Sequence, residues 1–278
     1  MEAVVSDFGA ILVKLIVPNK DGEKADVVLG FDHLEQYEEN PNFFGSTVGR
    51  SANRIGGAAF QIDGVTYHLT ANENENNLHS DFYHGFHNSL QISYDGISDK
   101  KTIINMTNHS YFNLAGHDAG SICDEKMMID ADAFTELGQG SICTGKVIPV
   151  EGTPMDFRTA RRVGDHIDDA WPQLTLAGGY DHNWVLNTEF GKVQKFAQVE
   201  DEKAGRTMEV YTDLPGVQFY AGNFIDPQTG KDGASYGKRC ALCLETQYFP
   251  NSINIPSFLQ PVVEAGEAYH SVTIYKFV

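Results

Sequence analysis

A histidine sits inside the run NMTNHSYFNL at residues 105–114, directly after the strand-like pair Ile103-Ile104. Continued as a strand, the alternation puts Asn105, Thr107, His109 and Tyr111 on one face. That face offers donors, acceptors, an aromatic ring and one group that titrates near neutrality. It suits a small polar ligand better than an apolar core. The ordinary use of a lone histidine is a satisfied, partly buried ring at a strand end, so the chemistry rests on the company His109 keeps.

Four further clusters supply that company. GRSANRI at 49–55 brings Asn53 and Arg54 beside glycines that permit close backbone approach; taken alone it reads as a surface loop with an ion-paired arginine. NENENNLHS at 72–80 is a polar loop that delivers His79. His84 and His87 follow, giving the formal metal pattern H-x4-H-x2-H, but no well-spaced carboxylate completes it and no metal is expected. GGYDHNWVL at 178–186 places Asp181 between glycines and an apolar strand, at the mouth of a sheet. The plainer use there is a turn aspartate bonding its own backbone. In CALCLETQYF at 240–249, Glu245 and Gln247 share a face with Ala241, Cys243 and Phe249. A carboxylate among apolar residues in a central strand is costly unless hydrogen-bonded or functional. Glu245 is the acidic residue least like a surface charge.

His109 and Glu245 on neighbouring strands form a general acid–base pair. Unperturbed pKa values of about 6.5 and 4.3 leave a window in which the imidazole is protonated and the carboxylate ionised. A nearby carboxylate such as Asp181 would favour the imidazolium and extend that window upward. No redox motif, phosphate loop or activated serine or cysteine nucleophile accompanies the pair, and Gly45-Ser46-Thr47 lacks an elbow pattern. The residue chemistry points to proton transfer on a neutral polyol or sugar.

Positioning these groups falls to many short strands. β-type runs occupy residues 11–17, 27–30, 59–62, 65–69, 89–94, 101–107, 126–129, 183–186, 195–200, 207–212, 217–221, 241–246 and 271–277, separated by Gly, Asn, Asp and Pro. Asp63-Gly64 is a type I′ hairpin signal. Helical periodicity is confined to two short stretches, 32–40 and 162–169. With no internal repeat or linker, this pattern indicates one all-β domain over residues 1–278, an antiparallel sandwich or barrel.

Twenty basic against 38 acidic residues give a formal charge of −18, a field that repels phosphate backbones and anionic lipid. Nucleic-acid and membrane partners are therefore not expected. The start, MEAVVSDFGAILVKLIV, lacks a basic n-region and is interrupted by Ser6, Asp7 and Lys14. No apolar run reaches membrane-spanning length, so a cytoplasmic protein is expected. Cys240 and Cys243 form a C-x2-C, a formal zinc half-site. They lie in an alternating apolar run far from the other two cysteines, and buried free thiols acting as small hydrophobes are the better account.

Taken together, FFGSTVGRSANRI, NNLHS, NMTNHSYFNLAG, GGYDHNW, LPGVQFYAGNF and CLETQYFPNSIN resemble, in order, the motifs of the aldose 1-epimerase (galactose mutarotase) family across most of residues 8–261. The resemblance implies a large antiparallel β-sandwich of the galactose mutarotase-like type. It also implies an isomerase, independent of metal and cofactor, that interconverts the α and β anomers of galactose and glucose. Carried over by motif, His109 would be the acid that protonates the pyranose ring oxygen, and Glu245 the base that takes the anomeric hydroxyl proton. The ring would open, the C1–C2 bond rotate, and closure from the other face give the opposite anomer. His79 matches the second active-site histidine, which holds the sugar near its ring oxygen. Asn53, Arg54 and Gln218 match sugar-contacting positions, Asp181 the carboxylate that bonds hydroxyls on the far side of the ring, and Tyr111 a further binding position. The expected partner is a monosaccharide, bound by a monomer or homodimer.

One interval departs from the family pattern. Only 29 residues separate His79 from His109, where the resemblance implies several more strands and a tryptophan-containing segment. Something like two to four strands of ordinary length are expected to be absent. The chain also begins at what corresponds to the family's second or third strand. A sandwich short of neighbouring strands would expose edges and apolar faces, to be closed by the fold itself or covered by a partner chain. Two alternatives follow. A weak or inactive sugar-binding relative would be expected to lose His109 or Glu245 first, and both are present. An epimerase of phosphorylated hexoses would want clustered arginines or lysines, where the sequence places Arg54 alone.

Overall fold

Alternating apolar residues write the inner faces of two antiparallel sheets. The computed structural model of the protein describes residues 1–49, 51–79 and 91–278. One sheet has five strands in the order Cys143–Pro149, Ala133–Leu137, Asp181–Val185, Gly216–Tyr220 and Cys243–Gln247. The other has six, Arg161–Arg162, Lys126–Ile129, Gln194–Asp201, Arg206–Thr212, Ala268–Phe277 and Gln91–Ile97. The main core lies between them. Phe134, Trp184, Val217, Phe219 and Leu244 from the first sheet meet Met127, Ile129, Val199, Met208, Val210 and Tyr275 from the second. Trp184 is fully buried and its indole N–H donates to the Met155 carbonyl at 3.0 Å, so its one polar atom carries no desolvation penalty. Each large apolar side chain buried this way stabilises the sandwich by roughly 1.5–3 kcal/mol.

Period-two alternation then dictates what the other face of the five-stranded sheet presents. Val217 and Phe219 point into the core, so Gln218 and Tyr220 point away. Leu244 points in, so Cys243, Glu245 and Gln247 point away; Trp184 points in, so Asp181 and Asn183 point away. The register sets Gln218 opposite Asn183 on one side and opposite Glu245 on the other. Polar side chains from three adjacent strands thus stand in one row. Gly216 belongs to that row because a Cβ there would lie 2.7 Å from Asn183 Oδ1 and 2.9 Å from the Phe249 ring.

The strand expected over 101–107 is broken into two. Thr102–Ile103 pairs with Val262–Val263, and Thr107–His109 pairs with Ser46–Val48. The shared face expected for Asn105, Thr107, His109 and Tyr111 is broken with it. Asn105 turns to the Tyr248 backbone, its Oδ1 accepting that N–H at 2.9 Å, whereas His109 and Tyr111 reach the cleft described below. Residues 27–30 are extended but make only an isolated bridge, Val28 to Phe112, because their N–H groups alternate between two neighbours, Leu15 and Tyr111. Pairing with Leu12–Pro18 falls instead to Lys24–Asp26. Asp63 and Gly64 both have positive φ (52° and 78°) in a two-residue turn joining Ala59–Ile62 to Val65–His68, as a type I′ hairpin requires. The expected helix at 32–40 is present as Leu34–Glu39. At 162–169 there is only a 3-10 turn, Val163–Asp165. The second helix is Pro172–Ala177, with Pro172 in its first turn and Gly178 in the left-handed conformation just after it. Among the described residues no helix is long and apolar enough to cross a membrane.

Candidate active site

The outward row of the five-stranded sheet forms the floor of an open cleft of about 670 Å³. Asn53, Arg54, His79, His109, Tyr111, Asp181, Gln218 and Glu245, the eight residues singled out from sequence, all line it. Gln218 Nε2 donates to Asp181 Oδ1 at 2.7 Å, and Gln247 Nε2 bridges Asn183 Oδ1 at 3.2 Å and Gln218 Oε1 at 3.4 Å. This side-chain ladder fixes the amide and carboxylate in place before any ligand arrives.

His109 reaches the floor from a different segment. Phe112, three residues on, exchanges backbone hydrogen bonds with Leu242 at 2.7 and 2.9 Å, which anchors the His109 segment beside the strand that carries Glu245. His109 Nε2 lies 3.4 Å from Glu245 Oε1, and the other ring nitrogen is 3.4 Å from Cys243 Sγ. Tyr111 packs against the same ring, with centroids 4.9 Å apart.

Burial dominates the electrostatics. It lowers the His109 pKa from 6.5 to about 4 and pushes Glu245 well above the ordinary carboxylate range, helped by the Asp181 charge and opposed by Arg54. Asp181 is raised for the same main reason. The imidazolium favoured by nearby carboxylates in the sequence reading is therefore not the resting state. Desolvation is the largest effect on both groups, and it shifts each of them toward its neutral form, imidazole and carboxyl. Glu245 Oε2 is buried without a hydrogen-bond partner among the described residues.

His79 is placed by pairing of Arg54–Ile55 with Asn77–Leu78. Its backbone N–H donates to the Asn53 carbonyl at 3.0 Å, and its Nδ1 accepts the Asn53 N–H at 3.2 Å. Asn53 and His79 both sit in the left-handed region (φ 58° and 57°), which asparagine and histidine tolerate better than most side chains. Burial, with the neighbouring His109 and Arg54, holds the His79 pKa well below 6.5. A neutral ring that accepts at Nδ1 carries its proton at Nε2, so His79 is a donor toward the cleft.

That tautomer bears on metal binding. Ligand atoms of His79, His109 and Glu245 lie within 4.8 Å of one another, close enough in principle for a two-histidine, one-carboxylate site. Ligation through His79 Nε2 would require moving its proton to Nδ1, against the Asn53 N–H. The trio is built for hydrogen bonding. His84 and His87 lie outside the described residues, and Cys240 and Cys243 are both buried free thiols.

Several further residues line the cleft that were not singled out from sequence, although Phe43, Tyr220 and Phe224 lie inside the quoted motifs. Phe43 packs on both histidine rings, at 5.0 and 5.8 Å; Tyr220 and the exposed Phe224 form part of the wall. Glu73 grips Arg54 with two hydrogen bonds, Nε to Oε2 at 2.5 Å and Nη2 to Oε1 at 2.6 Å. The loop NENENN was visible; which of its acids would meet Arg54 was not.

With this geometry in hand, the chain can be set beside known proteins. The family model described as Aldose 1-epimerase matches residues 1–87 and 85–276, two stretches that meet inside the shortened interval. Galactose mutarotase of Mus musculus is 37% identical over 314 residues, covering 98% of this chain and 90% of the mouse protein. Aldose 1-epimerase of Escherichia coli K12 is 29% identical over 323 residues, covering 100% and 92%. Among solved structures, a GalM/aldose epimerase homologue from C. elegans superposes with a TM-score of 0.87 at 25% identity, covering 99% of this chain and 95% of that one. The chain belongs to the aldose 1-epimerase family.

Proposed function

We propose that this chain is an aldose 1-epimerase acting on free hexoses, with His109 and Glu245 as its acid–base pair. One observation carries the reading: a buried imidazole and a buried carboxyl 3.4 Å apart at the floor of a cleft lined by hydrogen-bonding side chains. Ring opening needs one proton delivered to the ring oxygen and one removed from the anomeric hydroxyl. His109 Nε2–H supplies the first and Glu245 accepts the second, so imidazolium and carboxylate become imidazole and carboxylic acid. The open aldehyde, turned about C1–C2, takes the proton back from Glu245 on its carbonyl oxygen. His109 recovers the other from the C5 hydroxyl as the ring closes on the opposite face. No proton is gained or lost overall.

The resting arrangement has a consequence for the barrier. Imidazole plus carboxylic acid is the state the pair occupies when the sugar is open. Burial favours that neutral pair whether the sugar is cyclic or open, so the proton passes from Glu245 to His109 before the ring oxygen is protonated, at a cost that ring opening returns. His79 Nε2–H donates near the ring oxygen, Asp181 and Gln218 hold ring hydroxyls, and Tyr111 walls the site beside His109. The test is polarimetry on freshly dissolved α-D-galactose and α-D-glucose. Approach to anomeric equilibrium faster than the buffer blank is expected. A rate equal to the blank with folded protein would overturn the proposal.

A further inference from the structure

Arg54 is the one cationic side chain among the described residues lining the cleft, and it is already occupied. Glu73 takes its Nε and Nη2 in a two-pronged pair, leaving the Nη1 end of the guanidinium unengaged by that carboxylate. Both residues line the cleft. The loop that carries Glu73 is held independently of the ion pair. Asn72 exchanges side-chain hydrogen bonds with the Leu78 backbone at 2.7 and 2.8 Å. Glu73 N–H donates to Asn76 O at 3.1 Å, and Asn76 N–H donates back to Glu73 O at 2.9 Å. Asn76 Oδ1 accepts the Gly57 N–H at 3.0 Å. Glu73 is thus a fixed anion at the wall, presented by its own backbone.

Resting on the epimerase reading above, we propose that Glu73 is a specificity-determining and positioning residue. It neutralises Arg54, so the cleft accepts uncharged aldoses and rejects those carrying an anionic substituent, and it aims the free end of the guanidinium at a sugar hydroxyl. Its own carboxylate adds repulsion. An anionic sugar must displace Glu73 from the fork or sit beside it, because Arg–carboxylate forks are bidentate and leave no second one on the same edge. Asp181 stands in the same cleft and supplies no compensating cation.

The test compares wild type with Glu73→Gln and Glu73→Asp. Binding of D-galactose, D-galacturonate and D-galactose 6-phosphate is measured by calorimetry, and mutarotation of D-galactose by polarimetry. Wild type should bind the two anionic sugars at least about tenfold more weakly than galactose. Glu73→Gln should close that gap to within about threefold, and Glu73→Asp, which keeps the charge, should not. In Glu73→Gln the KM for galactose should rise severalfold with kcat nearly unchanged. The proposal is overturned if wild type binds the anionic sugars as tightly as galactose, or if Glu73→Gln discriminates as wild type does. Circular dichroism checks folding, and Glu73→Asp decides the charge question should Glu73→Gln be unstable. A wild type that binds sugars without mutarotation would defeat the epimerase reading, while the binding comparison would still decide the role of Glu73.

Discussion

Replacing Glu245 by glutamine separates catalysis from stability, because the structure assigns opposite signs to the two. The residue is 2% exposed, so an isosteric amide fits without opening a cavity. The amide cannot accept the anomeric proton, and loss of a positioned base costs about 10²–10⁴-fold, or about 3–5 kcal/mol of barrier. Stability moves the other way. Burial raises the Glu245 pKa in the folded state, so the folded protein holds a proton that the unfolded chain releases at lower pH. The carboxyl's favourable contribution is complete below the unfolded value, near 4.3, and is lost as pH rises toward the folded value. Glutamine has no such loss. The melting temperature of Glu245→Gln should therefore match or trail wild type near pH 4.5 and exceed it by a few degrees at pH 8. Polarimetry with D-galactose reads the first effect, and circular dichroism melts across that range read the second. A variant that keeps its rate would show that Glu245 is not the base. A variant less stable than wild type at pH 8 would refute the claim that burial keeps this carboxyl protonated.

Three further outcomes are expected. Gln218→Ala should raise the KM for galactose about tenfold, the value of one lost hydrogen bond and a loosened Asp181 at about 1.5 kcal/mol, with kcat falling far less than in Glu245→Gln; equal losses in kcat would give Gln218 a role in the chemistry itself. Glu125, buried and raised to about 8 by desolvation while accepting the Leu114 N–H at 2.7 Å, should make wild type progressively less stable from about pH 5 to 8. Glu125→Gln should remove the Glu125 share of that slope and leave a shallower one from Glu245 and Asp181, and denaturant titrations of the two proteins at both ends of the range would show whether it does. The blank-subtracted kcat/KM should stay flat from about pH 5.5 through neutral, because burial holds Glu245 above the ordinary carboxylate range, and fall tenfold per unit below about 4, where His109 takes a second proton. A decline setting in above pH 6.5 would mean that the pair keeps ordinary pKa values.

What was legible in the sequence was whatever alternates or punctuates. Arg206–Thr212 buries every second residue, with Met208 and Val210 between polar positions, and Asp63-Gly64 forces its turn. Ala133–Leu137 and Cys143–Pro149 were missed because their partners supply the pattern: CTGKVIP is an edge strand with a glycine at φ 91° and only Cys143 buried. The helix Pro172–Ala177 is six residues long, too short for a periodic stripe, though the proline at its start and the glycine after it were there to be read. At the site, motif order identified which side chains gather, and composition identified none. Glu73 escaped because a loop with two acids, Glu73 and Glu75, gives no hint which one faces Arg54.

The acid–base window was legible for a reason that the structure replaces. Ordinary pKa values put the shared proton on His109 between about 4.3 and 6.5, with nearby charge needed to stretch that range to neutral pH. Burial reverses the order, lowering His109 and raising Glu245, so that between the two shifted values the pair still holds one proton, now resting on the carboxyl. What matters for mutarotation is the number of protons in the pair, because the sugar receives one and returns one in each half of the cycle. Charged neighbours would stabilise the imidazolium form and work against the open-chain complex. Desolvation widens the one-proton range and holds the proton on Glu245 in the resting pair. Burial, with Arg54 as the one lining cation among the described residues and already held by Glu73, therefore gives the pair a wider working range in pH than ordinary pKa values would.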